Sequence, residues 1–388
     1  MNYISSTFGT GPGFVGAIGL AFGYVLIAVA VLSGFIMYLT PLLGLVGISV
    51  GAGLTVSIAA VALVIATVAM VRGIELSTRA AVFLEATSIA LLLILLGIVL
   101  GHHGLSAEPF HLPRTTVSGT AAGMVLAIFN YVGFESAACM GTEASNASRS
   151  IPRAVALSAA IAGVLYVISS YVQYLGFGTT AALTRSSAPL NDLATSAGVH
   201  VMGYVMDVGI CLSFFACVIG SLNAASRLLH AMGERCLLHR TVGTAHRQHK
   251  TPHLAIYALS AITFIIIAAM SLAGTAIIDI YSEAATLGTY GYLLCYVLVA
   301  LACPVMLWRE GRGPVLAALI GGLAAAGIAY VVYSSVYPVP AGAYQWMPYE
   351  FLGVLVIATA WYLARGRAGH RTSLAGLTAP ELTAPEAA

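Results

Sequence analysis

Between residues 128 and 135 the chain reads Ile-Phe-Asn-Tyr-Val-Gly-Phe-Glu, which puts an amide, a glycine and a carboxylate within six residues. They lie inside an apolar run, 118–140, whose midpoint falls at Phe129. A continuous lipid-facing helix avoids such a group, because the amide needs partners and glycine weakens a helix by up to about 1 kcal/mol. Irregular backbone at mid-bilayer is tolerated only where protein encloses it. The segment therefore predicts a broken helix. Its freed carbonyls, at Ile128 and Phe129, become acceptors for a cation or an ammonium group, assisted by the half-helix dipole. Asn130, Tyr131 and Gly133 complete this candidate binding stretch. The plainer alternative is a kinked packing helix with a buried Glu135.

Other ionisable groups inside apolar runs are few: Glu85, Asp207 and Glu283, with Arg79 and Arg227 at run ends. Charges at such depth are costly and mark function or pairing. Asp207 and Glu283 stand near span ends and are expected to reach the interface. Glu85, about two turns into its run, reads equally as a proton site or as the ion-pair partner of an arginine. No GxSxG, HExxH, P-loop or paired-carboxylate pattern occurs, so an enzyme is not expected. His102, His103 and His111 lack a fourth ligand and read as solvated loop residues rather than a zinc site. His239, His246 and His249 sit among arginines as a basic juxtamembrane loop. The six cysteines form no CxxC pair and read as small buried residues. No cofactor and no metal are called for.

The elements that hold these residues must lie in lipid. Only 8% of the 388 residues are charged and 60% are hydrophobic, too little charge to cover a water-soluble protein of this size. A net charge of +2 without a basic stripe gives no reason to expect nucleic acid. A span needs about 20 apolar residues. Ten segments qualify: 11–39, 44–70, 79–101, 118–140, 153–178, 200–229, 253–273, 280–307, 314–336 and 346–364, with a tight turn near Pro41 joining the first two. With the N-terminus inside, the inner segments hold fourteen Lys and Arg and the outer ones only Arg114 and Arg185. This asymmetry predicts a multi-pass protein of the bacterial inner membrane with both termini cytoplasmic. Residues 1–10 hold no Lys or Arg, so the first run reads as a retained span and not a signal peptide. Glycines four apart, Gly9/Gly13, Gly19/Gly23 and Gly47/Gly51, suit close helix packing within one bundle. The tail 366–388 is expected to be disordered.

The stretch from Asn130-Tyr-Val-Gly-Phe-Glu through Glu143 to Arg149-Ser-Ile-Pro152-Arg153-Ala-Val resembles the sixth helix and following loop of amino acid permeases. These belong to the amino acid–polyamine–organocation (APC) superfamily. Gly73-Ile-Glu-Leu-Ser77-Thr-Arg79 resembles the entry to the family's fifth helix. Asn223-Ala-Ala-Ser-Arg227-Leu-Leu-His-Ala231-Met232 with Thr251-Pro252-His253 resembles the end of the eighth and the start of the ninth. Leu287-Gly-Thr-Tyr-Gly-Tyr-Leu-Leu-Cys-Tyr296 resembles the tenth. Departures exist: Asn146-Ala147 stands where the family tends to have Asn-Pro, and Gly233-Glu234-Arg235-Cys236 where it tends to have Ala-Arg-Asp-Gly. Residues 1–39 resemble the loop and third helix, so the resemblance implies a chain without the family's first two helices.

The resemblance implies an all-α polytopic protein of the leucine-transporter inverted-repeat type. It implies one transmembrane domain over 1–365, with a complete second repeat at 118–307, a partial first repeat at 11–101 and two extra helices at 314–364. Phe129 then matches the aromatic position that gates the ligand, and the carbonyls of Ile128 and Phe129 accept from an α-ammonium. Glu135 becomes a gate partner or proton acceptor. Ser88 falls near a coupling position on the fifth helix, although a hydroxyl bonded back to its own helix is the more ordinary reading. Ser213, Phe214 and Asn223 are candidate cavity residues. The implied activity is secondary transport of an amino acid or related amine by alternating access, driven by a coupling proton or by exchange. The rival reading is a non-transporting remnant or a sensor-like or accessory membrane protein. Substrate identity and oligomeric state stay open.

Overall fold

The computed structural model describes residues 2–110, 130–140, 144, 146–179, 182–183, 189–235, 237–246, 248–311, 313, 315–337, 339 and 342–367. Among these residues every regular element is helical: α1 (Asn2–Phe8), α2 (Thr10–Gly44), α3 (Ala52–Arg72), α4 (Ile74–His103), α5 (Ala147–Phe177), α6 (Pro189–Ser196), α7 (His200–Glu234), α8 (His253–Leu272), α9 (Ile277–Arg309), α10 (Val315–Ser334) and α11 (Met347–Arg367). Short 3-10 turns stand at Glu108–Phe110, Phe134–Met140, Arg240–Gly243 and Gly342–Gln345. Nine of the described helices are long and apolar enough to cross a membrane. The expected span at 118–140 lies mostly outside the described residues. The molecule is an all-α polytopic membrane protein.

The first join departs from expectation. Helix α2 does not turn at Pro41 but runs on to Gly44, and the next helix begins at Ala52 rather than near residue 44. Pro41 lies in the last turn, where its missing N–H removes one ladder bond only. The chain reverses a few residues later, where Gly47 takes φ +78, its N–H bonds to Gly44 O at 3.0 Å and Ile48 N–H bonds to Leu43 O at 3.1 Å. That places Gly47 and Gly51 in a loop and excludes them from helix packing. Between α3 and α4 a single residue, Gly73 at φ +142, separates the two helices. An L side chain rarely adopts that conformation, so glycine fits the junction.

The chain divides into two compact units. The first comprises residues 1–23 and 290–388. There Phe14 stacks on Trp361 and Tyr362, with ring centroids 5.5 and 5.2 Å apart, and Phe351 packs on Phe22 and Tyr290. Gly291 lies against the backbone of Gly19 and Gly23, so one of the three predicted glycine pairs does mediate close helix contact. The second unit, residues 24–289, carries every candidate site residue. One of its buried clusters joins Leu95, Leu96 and Val99 of α4 to Val172 of α5, Leu193 and Ala194 of α6 and Met206 of α7. Hydrocarbon burial of this kind holds α4 and α7 side by side and sets the register of the polar residues between them.

Candidate functional site

Among the described residues, irregular backbone stands where the break was expected. Asn130 is helical, residues 131–133 form a turn, and Phe134–Met140 form a 3-10 helix. Gly133 takes φ +103, and Ser136 N–H reaches back to its carbonyl at 3.1 Å. Breaking an α-helical ladder frees backbone acceptors that lipid cannot satisfy. Helix α5 supplies the donors. Tyr166 Oη donates to Asn130 O at 2.7 Å, and Ser158 Oγ reaches Phe134 O at 3.4 Å while donating to Val155 O at 3.0 Å. The Tyr131 ring stands edge-on to Tyr166, 5.5 Å away at 88°, and its hydroxyl lies over Gly163, where a Cβ would collide with it. A cavity of about 380 Å³ opens here between Tyr131 and the α5 residues Ala159, Ala160, Gly163, Val164, Val167 and Ile168. Ile128 and Phe129, whose carbonyls are the predicted acceptors, fall outside the described residues.

The two predicted carboxylates each have a hydroxyl partner. Tyr24 Oη donates to Glu135 Oε1 at 3.0 Å and stands 3.7 Å from Cys139 Sγ. Tyr24 itself is buried, while Glu135 is half-buried. Ser213 Oγ of α7 donates to Glu85 Oε2 of α4 at 2.8 Å. Of the two roles weighed for Glu85, the ion pair with an arginine does not form among the described residues; its partner is Ser213. Glu85 also acts electrostatically on Cys217 and on Tyr166. Asn130, Tyr131, Tyr166, Glu85 and Ser213 thus share one neighbourhood, whereas Glu135 turns toward Tyr24 and Cys139. Ser88 is buried against Gly209, one helical turn along α4 from Glu85.

Further along α7, Asn223 is buried and links α7 to α4. Its Nδ2 donates to Ser77 Oγ at 3.1 Å, and its Oδ1 accepts from Arg227 Nη1 at 3.1 Å. Phe214 packs with Tyr38 at 5.9 Å and Tyr281 at 6.0 Å and presses into the space left by Gly34. The described cysteines are free thiols. Asp207, which stands near a span end, is covered by protein. It is 1% exposed and is held by Asn191 of α6, a residue the apolar run could not reveal. Sequence reasoning also missed Tyr24 and Tyr166. The available signal was a phenol inside an apolar run, since a buried hydroxyl needs a partner.

The arrangement is a helix break whose carbonyl is held by a neighbouring phenol, beside a carboxylate and a serine. A family model for amino acid permeases matches residues 1–360. The chain belongs to the amino acid permease family. That membership makes it a membrane transporter and not an enzyme. Among relatives of this permease is the branched-chain amino acid permease BcaP of Lactococcus lactis subsp. cremoris, 26% identical over 80% of this chain and 68% of that protein. The low-affinity putrescine importer PlaP of Escherichia coli K12 is 25% identical over 54% of this chain and 45% of its own length. Human cationic amino acid transporter 4 is 27% identical over 59% of this chain and 35% of its own length. Against the latter two, the permease spans less than half of the relative's length.

Proposed function

We propose that this permease carries an amino acid or related amine across the cytoplasmic membrane by alternating access, energised by a coupling proton or by exchange. The observation that carries the reading is the helix break at Tyr131–Gly133, which leaves the Asn130 carbonyl outside an α-helical ladder and within reach of a hydroxyl donor. A carbonyl that accepts from a phenol also accepts from an ammonium group, and a charged donor makes the stronger bond. The named cargoes of the three relatives, branched-chain amino acids, putrescine and cationic amino acids, all carry an ammonium group, which supports this chemistry. Ile128, Phe129, Asn130, Tyr131, Gly133 and Ser213 form the binding stretch in this reading. Glu135, Glu85 and Ser88 serve coupling or gating. The two-repeat organisation follows from the resemblance, with the break at the repeat interface. Fourteen inner against two outer basic residues support cytoplasmic termini.

Purified protein in proteoliposomes, offered labelled amino acids and diamines with and without a proton gradient, tests the reading. Accumulation under the gradient supports proton coupling, and counterflow alone supports exchange. A folded chain that moves none of the panel defeats it. Glu135→Gln is expected to remove gradient-driven uptake and spare exchange; if both persist unchanged, Glu135 carries no coupling proton.

A further inference from the structure

Asp207 differs from the other carboxylates of the second unit. It lies on α7, two turns from the helix start at His200, and is 1% exposed. Asn191 Nδ2 donates to its Oδ2 at 2.8 Å, and its Oδ1 has no hydrogen-bond partner. Met206, its neighbour in sequence, belongs to a wholly apolar cluster. The approach of α6 that brings Asn191 here depends on Gly203, because a Cβ at that position would lie 2.6 Å from Asn191 Oδ1. Buried carboxylate oxygens are nearly always bonded, and an open one inside a membrane span calls for an explanation.

A hard metal cation would need several oxygen ligands converging on the open oxygen. Among the described residues no group of three or more His, Cys, Asp or Glu side chains comes together to hold a metal, and Asn191 is the side chain bonded to Asp207. A proton needs no such shell. The titratable groups facing Asp207 are Tyr38 of α2, with Tyr281 of α9 beside it, and Cys211 one turn along α7; Asn191 of α6 is neutral. Asp207 makes no ion pair with any Lys, Arg or His among the described residues. The hydrogen bonds are separate from those at the helix break: Asp207 is bonded to Asn191, Asn130 to Tyr166 and Glu85 to Ser213.

We propose that Asp207 is a second protonation site of the permease, at which one proton from bulk water binds Oδ1 to give the neutral acid and later returns to water. The bond formed is Oδ1–H and nothing is oxidised or reduced. Asn191 stays bonded to Oδ2 in both forms and orients the carboxyl. Only the link to energised transport rests on the function proposed above; proton binding by Asp207 does not.

Infrared difference spectra of the full chain in lipid nanodiscs, recorded between mildly acidic and mildly alkaline buffer, test this without any cargo. The wild type is expected to show a carboxylic-acid carbonyl band that Asp207→Asn lacks and that Glu85→Gln and Glu135→Gln keep. Asn191→Ala, which leaves the acid in place, is expected to shift that band in frequency because one hydrogen bond to the carboxyl is gone. A spectrum of Asp207→Asn identical to the wild type overturns the proposal. If Asp207→Asn fails to fold, an unshifted band in Asn191→Ala overturns it instead. The spectra stay informative even if the permease moves none of the amino acids offered, so the two readings fail separately.

Discussion

Glycine serves opposite ends at Gly133 and at Gly291. At Gly133 the helix gives up its ladder: the residue takes φ +103, and an added Cβ would meet nothing within 4 Å. At Gly291 the helix is intact, and an added Cβ would run into the backbone of Gly19 and Gly23. In the first place glycine is needed for its conformation, in the second for its size. The consequences differ as well. A helix that closes tightly on another buries its surface and stiffens the unit, whereas a helix that opens exposes carbonyls that a neighbour must satisfy. Tyr166 and Ser158 of α5 do that at the break, and the satisfaction is uneven, 2.7 Å for the phenol and 3.4 Å for the serine.

If the two glycines differ in this way, substitutions should separate space from conformation. The largest effect is expected for Gly291→Leu, which overpacks the crossing and should cost about 3 kcal/mol of folding stability, read by titration with a denaturing detergent. Stability within about 0.5 kcal/mol of wild type would mean the crossing is loose. Gly133→Ala meets no neighbour, yet should cost about 1–2 kcal/mol because Ala is strained at this φ; its uptake defect should exceed its stability defect. An equal loss in both would reduce the break to a packing feature. Tyr166→Phe removes the phenol donor to Asn130 and is expected to cost about 1 kcal/mol, seen as faster amide exchange in residues 130–136. No change in exchange there would show that the bond does not hold the break. The smallest effect belongs to Ser158→Ala, below about 0.5 kcal/mol, since its bond to Phe134 is long and Val155 shares the hydroxyl.

The helices were readable because an apolar run of span length has few other fates in lipid. Their ends were less so. Pro41 invited a turn, but a proline in the final turn of a helix forfeits a single bond, and the reversal waited for Gly47. The break was readable because Asn130, Gly133 and Glu135 crowd one segment, a pattern a lipid-facing helix avoids. Its partners were not. Tyr166 is 36 residues from Asn130 and Tyr24 is 111 from Glu135, and each stands in an ordinary apolar run. With 19 tyrosines in the chain, nothing local singles these two out. Asp207 shows the same limit from the other side: its place near a span end suggested the interface, and α6, a short amphipathic helix, covers it instead.

The central claim is that the opened backbone at Asn130–Gly133 receives an ammonium group. Uptake into proteoliposomes of an amino acid, set against its desamino analogue with the same side chain and carboxylate, tests that most directly. The account predicts uptake of the amino acid and none of the analogue above protein-free vesicles. Equal uptake of both would contradict it.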